Sequence, residues 1–176
     1  ITGIAGAWFD SIPVLYLTGQ VTTFRLKGDT GVRQYGFQET EILPMVEPIT
    51  KYSVQLRDPR KIRYELEKSV NIAKSGRPGP VLIDIPDDLQ RQVIDVSDLE
   101  PFVAADLNSE GPISDGDLDF ILSQMADADR PVVVVGSGIR LSGAIHKARQ
   151  VLDLIEVPVL TTWGAKDMLA NDHKFN

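Results

Sequence analysis

The sequence predicts an α/β protein, in which a partial doubly wound parallel sheet is followed by the start of a second, Rossmann-like α/β domain. The first observation is the short apolar run Val81 to Ile85, typical of a strand buried on both faces of a parallel sheet. The second is the segment from Pro59 to Lys74, where apolar residues recur at helical spacing. The third is a strand, glycine turn, helix and strand pattern over residues 131–162.

The elements before the apolar run alternate as in a doubly wound unit, which favours parallel strands joined by crossover connections. Turn residues and apolar periodicity set their limits. In order, we predict a helix over 1–10, a strand over 12–18, a long polar loop over 22–36, a short helix opened by Phe37 and limited by Pro44 and Pro48, a strand over 50–56, and a helix capped by Asp58 that runs to Lys74.

The apolar run itself follows Gly76-Arg77-Pro78-Gly79-Pro80, which cannot continue a helix because proline fixes φ and lacks an N–H. Asp84 interrupts the run, and Pro86 ends it. Two interpretations of Asp84 stay open. It is either a solvated carboxylate at a strand end, or a carboxylate near the carboxyl edge where α/β sheets place ligands.

After residue 92 the periodicity is lost, and residues 93–115 are predicted to be a linker. We therefore divide the chain into residues 1–92, the linker 93–115 and residues 116–176. The second domain is predicted to contain a helix with an apolar stripe, a strand, a tight turn, a second helix and a second strand, over residues 116–125, 131–135, 136–138, 141–155 and 157–162.

Composition excludes several classes of function. The net charge of −7, without a cluster of basic residues, argues against nucleic acid as a partner. No apolar run approaches the length of a membrane span. The absence of cysteine excludes thiolate chemistry and favours a reducing, cytoplasmic location. The sequence opens without Met in an apparent helix, so we expect it to be a fragment of a longer protein.

Four candidate site residues lie at strand ends or helix starts of the first domain. Gly19 and Gln20 follow a predicted strand at its carboxyl edge, a position typical of cofactor-binding loops. Gln38, at the predicted helix start, either reads a small ligand through its amide or is an exposed first-turn residue. Lys51 is either catalytic or a solvent-exposed lysine. The neighbour of Gln38, Glu39, is predicted to do no more than favour the helix dipole.

Further candidates are basic residues and glycines. Gly136 and Gly138 form a strand-to-helix turn that either approaches a phosphate or is a plain structural turn, with Arg140 as a diphosphate partner. Leu141 replaces the third glycine of a dinucleotide fingerprint, which disfavours nicotinamide binding. Arg77 either lies at the surface or holds an anionic cofactor group. His146 and His173 have no recognisable nucleophile partner, so no triad and no metal ligand is assigned.

Taken together, six segments in order resemble the thiamine-diphosphate enzymes of the acetolactate synthase group. The start of the second domain, Pro131 to Gly138 with Pro158 to Thr162, resembles the central domain of that family. The six segments are Gly3-Ile4-Ala5, Asp10-Ser11-Ile12-Pro13, Thr18-Gly19-Gln20-Val21, Gly36-Phe37-Gln38-Glu39-Thr40, Ile49-Thr50-Lys51, and residues 75–86 around Gly76-Arg77-Pro78-Gly79-Pro80.

The resemblance implies a subunit of three domains, working as a homodimer or homotetramer on a small 2-oxo acid. This chain would cover the later part of the pyrimidine-binding domain and the start of the central domain. Thiamine diphosphate and Mg²⁺ would be held mostly by parts outside it, including an activating glutamate and a Gly-Asp-Gly metal motif. The resemblance places Gln38 at the reaction site, and Arg77 and Arg140 near FAD in members that bind it.

The sequence departs in three ways from the acetolactate synthases of branched-chain amino-acid synthesis, and these differences concern the identity of the substrate and the binding of FAD. The loop over 22–36 is longer, Asp87 stands where those enzymes carry a lysine, and the turn at Gly136 only approximates their three-glycine run. From the resemblance we still expect an enzyme that decarboxylates a 2-oxo acid and transfers the resulting acyl group. The alternatives are an acyl-CoA decarboxylase or C–C hydrolase of the same family, or a non-catalytic nucleotide-binding module.

Overall fold

The computed structural model describes residues 1–104, 113–170 and 172–173, and these form two units, Ile1–Ser109 and Glu110–Asn176. Both units are α/β with parallel strands, as the sequence predicts. The part of the predicted linker at 105–112 lies outside the described residues. Among the described residues, no helix is long and apolar enough to cross a bilayer.

The first unit is a parallel sheet of three strands with β3 in the middle, flanked by β1 and β2. Short 3₁₀ helices cover Thr23–Arg25, Glu47–Ile49, Pro59–Lys61 and Val96–Asp98. The regular elements in chain order are α1 (Thr2–Phe9), β1 (Leu15–Gln20), α2 (Ile42–Val46), β2 (Tyr52–Gln55), α3 (Ile62–Lys74), β3 (Val81–Pro86) and α4 (Asp87–Gln90).

The central strand β3 is buried as predicted, because helices cover both of its faces. Leu82 packs with Ile4 of α1 and Val46 of α2 in one apolar cluster. Since side chains alternate along a strand, Val81 and Ile83 point to the opposite face, where α3 lies against the sheet. The small buried residues of α3, Ser69 and Ala73, allow this close approach.

Strand β1 differs from its predicted limits of 12–18. It begins at Leu15, because Pro13 offers no N–H to a neighbouring strand. It continues to Gln20, because pairing with β3 extends as far as Gln20 opposite Pro86. Gly19 and Gln20 therefore lie inside the strand, at its last two positions.

The helix α3 confirms the predicted cap. The Asp58 side chain accepts a hydrogen bond from the Arg60 backbone N–H at 3.0 Å. Pro59 opens a 3₁₀ turn, and α3 proper begins at Ile62. Beyond α4, Leu99 is buried and Phe102 packs edge-on against Tyr64, with 5.5 Å between the ring centroids. This part of the predicted linker therefore lies against the first unit.

The second unit contains two parallel strands and a compact apolar core. The core residues are Val135, Leu152, Val159, Ala165, Met168 and Leu169. A 3₁₀ turn, Trp163–Ala165, follows the second strand. The other elements are α5 (Asp115–Asp127), β4 (Val133–Val135), α6 (Gly138–Leu141), α7 (Ile145–Leu154) and β5 (Val159–Thr161).

The helix predicted over 141–155 is present as α7 (Ile145–Leu154), but it begins four residues later than predicted, because Leu141 belongs to the separate helix α6. Gly143 adopts a φ of +70°, a left-handed conformation that ends α6 and that glycine reaches without a steric penalty. α7 then begins at Ile145. His146 is exposed on α7, whereas His173 approaches Asp153, with 3.3 Å between Nε2 and Oδ1.

Candidate functional site

Asp84, on the middle strand β3, is a buried carboxylate that is only 1% exposed. Its Oδ1 accepts a hydrogen bond from Thr18 Oγ1 at 2.8 Å. Its Oδ2 accepts from the side-chain amides of Gln20 at 3.2 Å and Gln55 at 3.0 Å. The interpretation of Asp84 as a solvated strand end is therefore wrong. Donors from both neighbouring strands replace the water that a buried carboxylate loses.

Gln20 connects this carboxylate to the long loop. Besides contacting Asp84, its Nε2 donates to the backbone carbonyl of Thr40 at 2.7 Å. Its Oε1 accepts from the Val21 N–H at 2.9 Å. The amide is thus occupied within the chain, so Gln20 fixes the position of the backbone two residues after Gln38.

Gln38 lies in a turn, and the prediction that it starts a helix is wrong. α2 begins only at Ile42. A helix opened by Phe37 would place Pro44 in its interior, where proline removes a hydrogen bond and clashes with the preceding turn. Starting at Ile42 instead leaves Pro44 in the first turn, where its missing N–H has no intrahelical partner anyway. Gln38 is exposed and has a φ of +59°.

Glu39 does far more than favour a helix dipole, which corrects the sequence-based expectation. Its Oε1 accepts the Lys27 backbone N–H at 2.6 Å. Its Oε2 accepts the backbone N–H groups of Tyr35 at 2.8 Å and Gly36 at 3.3 Å. Desolvation acts to raise the pKa of Glu39, but the three N–H groups and the nearby Lys27 charge outweigh it, and the pKa is lowered from its ordinary value.

A second carboxylate anchors the start of the same loop. Asp88 accepts both the N–H of Thr23, at 2.8 Å, and its hydroxyl, at 2.5 Å. The bond from the Thr23 hydroxyl is the main cause of the lowered pKa of Asp88. Since Asp88 belongs to α4, which directly follows β3, the loop is tied to the carboxyl edge of the sheet.

Lys51 is occupied by the end of α3. Its Nζ donates to the carbonyls of Ile72 and Ser75, each at 2.5 Å, which satisfies acceptors that a helix leaves free at its C-terminus. Burial lowers the pKa of Lys51. Gly79 lies close to this side chain, and a Cβ at that position would lie 3.0 Å from Lys51 Cδ. The catalytic role of Lys51 stays a prediction.

Arg77 and Lys51 line one cavity of about 600 Å³ in the first unit. Arg77 Nε donates to the hydroxyl of the buried Ser11 at 2.7 Å. Its terminal nitrogens have no partner within the described part of the chain. The rings of Trp8 and Phe9 also line the cavity. Two aromatic rings with a guanidinium fit a flat aromatic group that carries an anionic substituent.

In the second unit, the predicted residues surround the turn after β4. Arg140 is paired with Asp167, with contacts of 2.5 and 2.7 Å from its NH2 group, and this contact lowers the pKa of Asp167. A Cβ at Gly138 would meet nothing within 4 Å, and one at Gly136 would make only an ordinary contact with Thr162. The close approach falls instead at Gly164, where a Cβ would lie 3.1 Å from Ser137 Cβ.

The structure thus groups the predicted residues in three places. Gly19 and Gln20 end β1 at the carboxyl edge of the first sheet, and Gln38 lies in the loop that the Gln20 amide contacts at Thr40. Lys51 and Arg77 share the cavity beside α1. Gly136, Gly138 and Arg140 lie together in the second unit. Among the described residues, no group of three or more histidine or acidic side chains is placed to hold a metal ion.

Sequence reasoning missed Glu39 and Asp88 as structural anchors. The signal available for Asp88 was its position directly after a buried strand, where a side chain can reach the neighbouring loop. Glu39 had no comparable signal, because its three donors lie 3, 4 and 12 residues away in a loop without periodicity.

Comparison with known proteins agrees with this α/β arrangement. Residues 118–176 match the family described as thiamine pyrophosphate enzyme, central domain. The chain is 35% identical over 176 residues to a probable acetolactate synthase large subunit of Methanocaldococcus jannaschii, an alignment covering 98% of this chain and 29% of the relative.

Two further relatives carry similar names. The acetolactate synthase large subunit of Lactococcus lactis is 33% identical over 163 residues, with 92% of this chain and 27% of the relative covered. The acetolactate synthase of Arthrospira platensis is 33% identical, with 98% and 29% covered. The chain therefore spans less than a third of the length of these relatives. Its residues 118–176 belong to the thiamine pyrophosphate enzyme central-domain family, and the chain is similar to acetolactate synthase large subunits over nearly all of its length.

Proposed function

We propose that this chain is part of an enzyme that decarboxylates a 2-oxo acid and transfers the resulting acyl group, as an acetolactate synthase does. The observation that carries the proposal is the similarity to acetolactate synthases over 98% of the chain. Thiamine diphosphate, the same compound as thiamine pyrophosphate, supplies the electron sink for such a decarboxylation when bound. The residues of this chain would bind and orient the substrate and the cofactor, and would exclude water from them.

Gln38 is the residue that we propose touches the substrate. Its side chain is exposed on a loop whose backbone is fixed on both sides of it. An amide donates a hydrogen bond without titrating, so it can stabilise a substrate carboxylate or a developing oxyanion at any working pH. Gly19 and Gln20 support this edge as cofactor-side residues, and Lys51 is proposed to contribute from the neighbouring cavity.

The cofactors and the assembly belong to the same proposal. We infer Mg²⁺ with the thiamine diphosphate, because the enzyme family implies it. The cavity with Trp8, Phe9 and Arg77 supports FAD, whose flat ring and phosphates match its lining. Gly136, Gly138 and Arg140 are the proposed contacts from the second unit. A homodimer or homotetramer, a cytoplasmic location and the domain limits 1–92, 93–115 and 116–176 complete the proposal.

Substitution of Gln38 tests the proposed reaction. In the full-length protein loaded with thiamine diphosphate and Mg²⁺, Gln38→Ala should lower turnover of a 2-oxo acid such as pyruvate on the order of 10²-fold, as loss of a transition-state donor does. Folding and cofactor affinity should change little, since the side chain has no hydrogen-bond partner within the described residues. Equal turnover of the variant and the wild type at saturating substrate and cofactor would remove Gln38 from the active site.

The same full-length preparation separates the alternative functions. Release of CO₂ from pyruvate with formation of a C–C bonded product supports the acetolactate synthase-like reaction. Activity on acyl-CoA or cleavage of a C–C bond by water instead would indicate another reaction of the family. Failure to bind thiamine diphosphate, together with binding of a nucleotide, would favour the non-catalytic module.

A further inference from the structure

Residues 22–41 comprise the long loop and the turn that leads to α2. Three backbone N–H groups of this segment donate hydrogen bonds to one carboxylate, that of Glu39. Glu39 accepts backbone N–H groups from Lys27 on one side of the loop and from Tyr35 and Gly36 on the other. Eight residues lie between its outermost donors, Lys27 and Gly36. A single side chain therefore sets the distance between the two arms of the loop, in place of a ladder of backbone hydrogen bonds.

The residue next to Glu39 has a strained backbone. Gln38 has a φ of +59°, which is uncommon for a residue with a Cβ and persists only where the surroundings determine the conformation. Only one other residue of the described chain that is not glycine, Ser11, shares such a φ. Such a conformation requires neighbouring contacts that constrain the backbone on both sides of the residue.

Contacts on both sides of Gln38 supply that constraint. Before it, Gly36 is buried against Val21, so closely that a Cβ would lie 2.9 Å from both Val21 methyl groups. After it, the Thr40 carbonyl accepts the Gln20 amide, which is itself held by Asp84. Glu39 lies between these two anchors, and its own N–H donates to the Gly36 carbonyl at 3.2 Å.

We propose that Glu39 is a positioning residue, whose carboxylate holds the loop so that the Gln38 amide points in one direction towards the substrate. This inference rests on the proposed function, because it assigns Gln38 to the reacting site. It adds a role for the neighbouring acid, which acts only through Gln38 and the loop backbone. Glu39 is not proposed to contact substrate or cofactor.

Both side-chain oxygens of Glu39 serve as acceptors, because all three of its partners donate. In Glu39→Gln, one oxygen becomes an NH₂ group that faces an N–H, so at least one arm of the loop loses its acceptor. Glu39→Asp keeps the charge but withdraws the carboxylate by one methylene. It should retain part of the contact and give an intermediate result.

The matched control is Glu41→Gln. Glu41 belongs to the same segment, and the substitution removes the same charge. Its only partner in the described structure is the Lys27 ammonium at 2.7 Å, and 63% of the Glu41 side chain is exposed. The Lys27 side chain is only 18% exposed, but loss of this ion pair leaves the three backbone N–H groups with their Glu39 acceptor, so the loop should stay closed.

The experiment combines hydrogen exchange with kinetics on the full-length protein. In Glu39→Gln, exchange of the amides of Lys27, Tyr35 and Gly36 should accelerate by about tenfold or more, as expected for lost hydrogen bonds to a charged group. The kcat for a 2-oxo acid should fall about 10- to 100-fold, since misplacing a positioned group has effects of this size. The thiamine diphosphate affinity and the melting temperature should match those of Glu41→Gln.

A double variant shows whether Glu39 acts through Gln38. Gln38→Ala with Glu39→Gln should be no slower than Gln38→Ala alone, because the loop then has no amide to position. A further loss that equals the effect of Glu39→Gln in the wild type would overturn the proposal. So would unchanged amide exchange in Glu39→Gln, or faster exchange without any loss of kcat.

The outcomes also separate this proposal from the proposed function. Inactivity of the wild-type protein with all 2-oxo acids would contradict the proposed reaction. The exchange comparison between Glu39→Gln and Glu41→Gln would still decide whether Glu39 holds the loop. If Glu39→Gln does not fold, Glu39→Asp replaces it, and wild-type exchange and kcat in that variant would overturn the proposal.

Discussion

At the scale of single residues, two acids of this chain serve as acceptors inside the protein. Asp84 receives side-chain donors from three residues of neighbouring strands, and Glu39 receives three backbone N–H groups. At both carboxylates, donors of the protein replace hydrogen bonds from water. Both residues lie at or beside the carboxyl edge of the first sheet. The chemistry proposed for Gln38 thus depends on residues that do not react.

Asp84→Asn should loosen the first sheet. The Asn side chain offers one acceptor oxygen, and its NH₂ group would face an amide or hydroxyl that also donates, so at least one hydrogen bond is lost in a buried place. We expect the free energy of opening of β1 to β3, measured by amide exchange, to fall by about 1–3 kcal/mol.

Asp87→Asn is the control for that measurement. The same chemical change is made there at a surface position, where the only partner of the Asp87 carboxylate among the described residues is Arg91, at 2.8 Å. This variant should alter the opening free energy by less than about 1 kcal/mol. An equal effect of both substitutions would show that burial of Asp84 is unimportant.

At the scale of elements, the long loop is held to the sheet by packing as well as by charge. Gly36 is the tightest point. An added Cβ would lie 2.9 Å from the methyl groups of Val21 and 3.0 Å from the Arg25 carbonyl oxygen. Neither group yields easily, because Val is stiff at χ1 and the carbonyl belongs to the backbone.

Gly36→Ala should therefore push the loop away from β1. The cost of such overpacking is typically about 1–3 kcal/mol, and here it falls on the loop and leaves the sheet intact. Trypsin should cleave after the exposed residues Arg25 and Arg33 faster than in the wild type, at an unchanged melting temperature. Gly6→Ala serves as the control, because its Cβ would meet nothing within 4 Å. Wild-type cleavage of Gly36→Ala would contradict the packing argument.

At the scale of the whole molecule, the second unit has one buried and one exposed side to its small sheet. Val135 and Val159 are buried, whereas the paired residues Val134 and Leu160 are 64% and 58% exposed. No residue of α5 is buried. Apolar surface of this kind usually marks a place that another segment or partner covers.

A protein consisting of residues 1–176 should therefore bind the dye ANS. Replacement of Val134 and Leu160 by threonine should reduce the dye fluorescence, because it removes apolar surface without disturbing the buried side of the sheet. Circular dichroism checks that the strands and helices are kept. Identical fluorescence before and after the double substitution would show that this face is not the binding surface.

Local sequence determined most of the elements and the family. The apolar run at β3, the periodicity of α3 and the cap at Asp58 depend on neighbours within a few residues, and all three appear in the structure. The six ordered segments and the α/β pattern are sufficient to indicate a resemblance to the thiamine-diphosphate enzymes. The predicted limits of β1 were less accurate, because strand pairing sets them. The break between α6 and α7 was not predicted, because it depends on the backbone conformation of Gly143.

Only the tertiary structure decided what the polar residues do. The donors to Asp84 are 29 to 66 residues away along the chain. Arg140 and its acceptor Asp167 are 27 residues apart. Lys51 caps a helix that ends more than twenty residues later. Periodicity reports which face of an element is apolar, but it carries no information on which distant donor meets which acceptor. That pairing follows from strand register and loop closure, which arise only when the whole unit folds.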